Sequence, residues 1–136
     1  MRVILDTNIF LSATLVRGSV PDKLYESWRK GRYLLISSEQ QIDEIKTVLR
    51  RPFFRDRVKP WEAGLLINHI RQMAELLNAL PDLEVSKDPK DNFLLAMAQV
   101  SGAEYLVTGD KRDLLAMEKF GPTRIVTAKA MADLLA

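Results

Sequence analysis

The sequence predicts an α/β fold, a central parallel sheet of about five strands with helices on both faces. Three observations carry this reading. Short continuous apolar runs, the form of strands buried on both faces, alternate with longer segments of helical periodicity. Gly, Pro and Ser/Asp punctuation falls between them at the positions where helices start and stop. No repeat, low-complexity tract or linker breaks the 136 residues, a length ordinary for one domain, so residues 1–136 are read as one unit.

Taken in order, Arg2–Leu5 is the first apolar run. Ile9, Phe10, Ala13 and Val16 then recur at helical spacing from Asn8 to Val16. Gly18 and Pro21 interrupt, and Asp22–Lys30 is expected as a second helix with Leu24, Tyr25 and Trp28 on one face, ended by Gly31. Tyr33–Ile36 reads as the second strand. Ser37, Ser38 and Glu39 supply N-cap chemistry for a helix to about Arg51, stopped by Pro52. Pro60 precedes an expected long helix over Trp61–Ala79, whose broad apolar face includes Leu66, Ile70, Met73, Leu76 and Leu77. Leu83–Val85 is expected as the third strand, and Asp88 to Asp91 open a helix ending before Gly102. Tyr105–Val107 as strand, Arg112–Lys119 as helix, Arg124–Val126 as strand and Lys129–Leu135 as helix complete the chain.

Composition narrows the function classes. The 47% hydrophobic and 28% charged content is that of a globular protein. The absence of cysteine excludes disulfides and thiolate metal sites. The apolar run after Arg2 is too short for a secretory signal, and no stretch nears the roughly 20 apolar residues that span a bilayer. A cytoplasmic protein with no membrane partner is expected. Twenty basic against eighteen acidic residues, a net charge of +2, favours a polyanionic partner only weakly.

The distribution of acids is more informative. Strand–helix alternation makes the crossovers right-handed and lines the strand C-termini along one edge, where ligands of such sheets bind. Asp6 leaves the first strand at that edge, and Asp110 follows Tyr105–Val107 through Thr108 and Gly109. Asp91 opens the helix after the expected third strand, and Glu44 lies among Ile42, Ile45 and Val48 on the helix after the second. Carboxylates gathered this way repel unless a cation shares them. Hard oxygen ligands without His or Cys suit Mg²⁺ or Mn²⁺, and phosphodiester hydrolysis is the reaction best served. Each acid also has a plain structural role open to it. Asp6 can be a helix N-cap, Asp88 and Asp91 first-turn acids favoured by the helix dipole, Glu44 a solvated helix residue, and Thr108-Gly109-Asp110 a turn.

These segments resemble the PIN domain family, nucleases that include the VapC-like toxins of toxin–antitoxin pairs. The resemblance covers essentially the whole chain. It rests on the apolar run ending in Asp6-Thr7-Asn8, on Ser37 to Glu44, on Asp88-Pro89-Lys90-Asp91-Asn92, and on Val107-Thr108-Gly109-Asp110. It implies a single PIN-like nuclease domain, a metal-dependent endoribonuclease using one or two Mg²⁺ or Mn²⁺ ions. Asp6, Glu44, Asp91 and Asp110 would be its catalytic acids and Asn8, Asn92 and Thr108 supporting groups. Asp6, Asp91 and Asp110 would ligate metal, with Glu44 and Asp113 as further candidates. Asp113 is displaced by one residue from the family pattern, because Arg112 is inserted after Lys111. The resemblance also implies an RNA substrate, a cognate antitoxin protein bound over an apolar groove, and a homodimer. Leu11, Leu15, Val16 and Tyr25 offer apolar surface for such contacts.

Lys87, Lys90, Lys111 and Arg112 lie beside the expected acids, where they either receive the scissile strand or balance the carboxylates. Residues 50–59 carry five cations, one acid, Phe53 and Phe54. This segment is either a single-strand RNA surface or a solvated loop anchored by its aromatic rings. His69, the sole histidine, sits within a helix and is not read as a ligand. The alternative to an enzyme is a non-catalytic α/β interaction module, or a receiver-like domain. A haloacid-dehalogenase-type phosphatase is disfavoured because position 8 is Asn.

Overall fold

The computed structural model describes residues 1–109 and 112–136. One six-stranded sheet has the order β3-β2-β1-β4-β6-β5. Its strands are β1 (Arg2–Leu5), β2 (Leu34–Ser38), β3 (Glu75–Leu77), β4 (Tyr105–Thr108), β5 (Lys119–Phe120) and β6 (Thr123–Thr127). All neighbours are parallel except β5, which pairs antiparallel with β6. The helices are α1 (Thr7–Leu15), α2 (Val20–Arg29), α3 (Glu39–Leu49), α4 (Pro52–Arg55), α5 (Pro60–Met73), α6 (Pro89–Ser101), α7 (Arg112–Met117) and α8 (Ala128–Leu135).

The period-two alternation of strand side chains divides the core. Val3, Leu5, Leu35 and Val107 face α1, α2, α3, α5 and α8, packing with Phe10, Trp28, Ile45 and Ile70. Ile4, Ile36, Leu106 and Ile125 face the other way, onto Leu94, Leu95 and Met97 of α6 and Leu114 of α7. Helices therefore cover both faces, which is why β1 has no polar side chain between Val3 and Leu5. Among the described residues, no helix is long and apolar enough to cross a membrane.

The sheet differs from expectation at two places. The long helix ends at Met73, not Ala79, and the third strand is Glu75–Leu77, not Leu83–Val85. A short apolar run such as Leu76-Leu77 suits helix or strand equally, and pairing Ile36 with Glu75 and Ser38 with Leu77 settles it. Leu83–Val85 instead belongs to the irregular segment leading into α6. The true third strand is followed by Asn78, so the receiver-like arrangement still lacks an acid there. Second, α7 stops at Met117 because Glu118 adopts a left-handed φ of 61°. That reversal, with Gly121 at φ 57°, creates the additional two-residue strand β5. The short α4 was also not expected; Pro52 at its first turn presets the helical φ.

Chain order leaves β1 in one direction for β2 and β3, then returns to the other side of β1 for β4. The switch point lies between β1 and β4, and such a crevice, at the strand C-termini, is where this architecture places ligands.

Candidate functional site

Asp6 and Thr108 sit on the two sides of that crevice. Leu5 pairs with Val107, and the Asp6 amide donates to the Val107 carbonyl at 2.8 Å. Asp6 then caps α1, accepting from the Asn8 amide at 3.3 Å. Its other oxygen accepts from the Thr108 hydroxyl at 2.9 Å. Asp6 is only 2% exposed and Thr108 fully buried. One Asp6 oxygen thus closes the helix end while the other is held by the neighbouring strand.

Asp91 reaches the same edge on α6. As the connection between the parallel strands β3 and β4, α6 runs antiparallel to them, and the Arg2 side chain at the start of β1 donates to the carbonyl of Ser101 at its end. From Ser101 back to Asp91 is about 15 Å of helix, and from Arg2 to Asp6 about 13 Å of strand. These similar lengths carry both residues toward the same edge, and Asp91 is 3% exposed. Its Oδ2 accepts from the Ser86 hydroxyl at 3.1 Å. Asn92 fixes the backbone of that serine: its Oδ1 accepts from the amides of Val85 and Ser86 at 3.1 and 2.7 Å, and its Nδ2 donates to the Ser86 carbonyl at 2.8 Å. Asn92 is therefore a positioning residue, acting through Ser86. Asp88 is the N-cap of α6, accepting from the Lys90 amide at 2.9 Å.

The remaining expected residues are placed less centrally. Ile4 pairs with Ile36, which puts Ser38 level with Asp6. Glu44 lies six residues further along α3, about 9 Å from that line, and is half-buried. Asn8 is exposed, as are Lys87, Lys90, Arg112 and Asp113. Asp110 and Lys111 lie outside the described residues. Among the described residues no three His, Asp or Glu side chains form a group able to hold a metal ion, so Asp6, Glu44 and Asp91 do not form one by themselves.

A family model described as PIN domain matches residues 2–112. The chain belongs to the PIN domain family. PIN domains are in general metal-dependent nucleases, which assigns this one at a coarse level to the hydrolases. No curated protein matches the chain.

The structure of this PIN domain also shows residues that sequence reasoning missed. Gln41 is fully buried, accepts from Ser37 Oγ at 2.6 Å and donates to the Leu5 carbonyl at 2.7 Å. It ties the start of α3 to the residue before Asp6. A glutamine in the first turn of an amphipathic helix carries no mark of this role in the sequence. Ser86 is likewise unmarked in the sequence, lying in the irregular segment that leads into α6. Thr7 Oγ1, next to Asp6, is a buried hydroxyl with no hydrogen-bond partner. These donors, two buried carboxylates with hydroxyls beside them, are hard oxygens of the kind Mg²⁺ and Mn²⁺ accept.

A cleft of about 390 Å³ lies away from this edge, between α1, α2 and α5, lined by Thr14, Tyr25, Trp61, Leu65 and His69 among others. His69 Nδ1 faces the Tyr25 hydroxyl at 2.5 Å and Arg29 Nη1 at 3.0 Å. A guanidinium can only donate, so Nδ1 is an acceptor. Burial, then Arg29, hold the imidazole below its ordinary pKa, and burial raises that of Tyr25.

Proposed function

We propose that this PIN domain is a divalent-metal-dependent endoribonuclease and the toxin of a toxin–antitoxin pair. The observation that supports the catalytic part is that two carboxylates are buried, Asp6 at the end of β1 beside β4 and Asp91 in the first turn of α6. Asp6 and Asp91, joined by Asp110, hold one or two Mg²⁺ or Mn²⁺ ions in this reading, with Glu44 and Asp113 as outer acids. The bound ion supplies charge neutralisation at the phosphate and a lowered pKa for its water.

The chain's own residues do the rest. Thr108 pins one Asp6 oxygen, and the Asn8 amide pins the other. Ser86, held by Asn92, fixes the Asp91 side chain. Rigid carboxylates lose little entropy when they take up a ligand. Lys87, Lys90, Lys111 and Arg112 bind the strand's phosphates. RNA is the substrate, and the protein partners are a cognate antitoxin and a second copy of the chain.

RNA cleavage by wild type and by Asp6→Asn, each with and without EDTA, tests the mechanism, alongside melting in rising Mn²⁺. Metal-dependent cleavage and a Mn²⁺-induced rise in Tm, both lost in Asp6→Asn, are expected. Cleavage that survives excess chelator overturns the metal mechanism. Absence of both cleavage and the Mn²⁺ shift would leave capping α1 as the whole role of Asp6, as in the non-catalytic alternative. Co-expression with a small neighbouring gene that relieves growth arrest tests the toxin role.

A further inference from the structure

Residues 50–59 are the most cationic stretch of the chain, with five cations against Asp56. Arg50, Arg51, Arg55, Arg57 and Lys59 are all exposed. Among the described residues the ion pairs are Arg2–Glu75 and Arg71–Glu39, neither of which involves this stretch. The segment is nevertheless held firmly. Phe54 and Val58 pack into the core, Pro52 and Pro60 start α4 and α5, and the Val58 amide donates to the Phe54 carbonyl at 2.7 Å. Phe53, by contrast, is 51% exposed, with the Arg57 guanidinium 3.9 Å from its ring centroid. Exposed cations on a backbone held by the core, beside an exposed ring, present a fixed positive surface.

Its position relative to the acids follows from α3. That helix begins after Ser38, level with Asp6, and its 11 residues carry the chain about 16 Å to Arg50.

We propose that the 50–59 segment is a second docking surface for single-stranded RNA, gripping its phosphates about one α3 length from the carboxylate edge. It rests on the ribonuclease reading for the identity of the polyanion. Cations strung along a segment match a backbone with a charge at every nucleotide, and Phe53 offers a base-stacking face, as single-strand binders use. A span of about 16 Å takes roughly five nucleotides at the rise of a stacked strand. At that rise a trinucleotide seated at the acids falls short of this surface.

The test compares the full chain with Arg51→Gln/Arg55→Gln/Arg57→Gln. Binding of a labelled, unstructured RNA of about 20 nucleotides is followed by anisotropy in EDTA across a salt series. The variant should bind at least about tenfold more weakly, with a log K against log salt slope shallower by about 2, since each single-strand phosphate contact contributes about 0.7. In Mn²⁺ the variant should cleave the long RNA with a raised KM and the trinucleotide as wild type does. Replacing the same three residues by Lys should restore most of the affinity, which separates charge from folding. Unchanged affinity and slope in a variant that melts like wild type overturns the proposal. Binding of poly-glutamate as tight as that of RNA also overturns it, in favour of an acidic protein. Segment-dependent RNA binding by a wild type that never cleaves RNA supports the docking surface and refutes the nuclease reading alone.

Discussion

Thr108→Val is the sharpest perturbation of the carboxylate edge. Valine keeps the shape of the buried side chain and removes only the hydroxyl that donates to Asp6 Oδ2 at 2.9 Å. A hydrogen bond to a charged group contributes about 1.5–3 kcal/mol, and here both groups are buried. At about 2.1 cal/mol/K per residue, the 136-residue chain unfolds with an entropy of about 0.29 kcal/mol/K. A loss of about 2 kcal/mol should therefore lower Tm by about 7 °C. Thermal melts of wild type, Thr108→Val, Asp6→Asn and the double variant, without metal, form a cycle that isolates the pair. Asn at position 6 keeps an oxygen for the α1 cap but loses the charge. A coupling of about 1 kcal/mol or more is expected for groups in contact. Additive effects, or a single-variant shift under about 2 °C, would refute the claim that Thr108 holds Asp6.

Three further outcomes are expected. Thr7→Val removes the orphaned hydroxyl of Thr7 and should raise the Tm of the metal-free protein, by about 3 °C for about 1 kcal/mol of relieved desolvation; a fall in Tm would mean the hydroxyl is bonded. Asn92→Ala removes three contacts to Val85 and Ser86 and should cost about 2 kcal/mol. It should also weaken the Mn²⁺-induced Tm shift, because Ser86 no longer steadies Asp91; a full shift would exclude that positioning role. His69 is held below its ordinary pKa by burial and then Arg29, so folding favours the neutral ring. That contribution is intact above the unfolded value of about 6.5 and is lost as pH falls below it. Wild type should thus lose Tm relative to His69→Gln between about pH 7.5 and about pH 5.5, and parallel curves would refute the assignment.

Much of the fold was legible because the core-facing pattern is local. Val3-Ile4-Leu5 has no polar interruption, so the strand had to be covered on both faces, and Gly31, Pro52, Pro60 and Gly102 punctuate the helices where the structure ends or begins them. The failures fall where local pattern is ambiguous. Leu76 and Leu77 continue a helical face, yet the open edge of β2 offers them backbone partners, and Glu118 turns left-handed with no glycine to announce it. The acids Asp6 and Asp91 could be nominated from residue type and order alone.

The sequence by itself determined which side chains are available: apolar runs for a doubly covered sheet, hard oxygen donors without His or Cys ligands, and a cationic stretch at 50–59. Only the tertiary structure decided how they are held. The antiparallel run of α6 against the sheet carries Asp91 toward the same edge as Asp6, although 85 positions separate them in the chain. The Ser86 hydrogen bonds to Asp91 and Asn92 are local, five and six residues apart, but those of Thr108 to Asp6 and of Gln41 to the Leu5 carbonyl join residues from distant elements. Such contacts exist only once the sheet order is set, because a hydrogen bond depends on distance and direction in space and leaves no periodic trace along the chain.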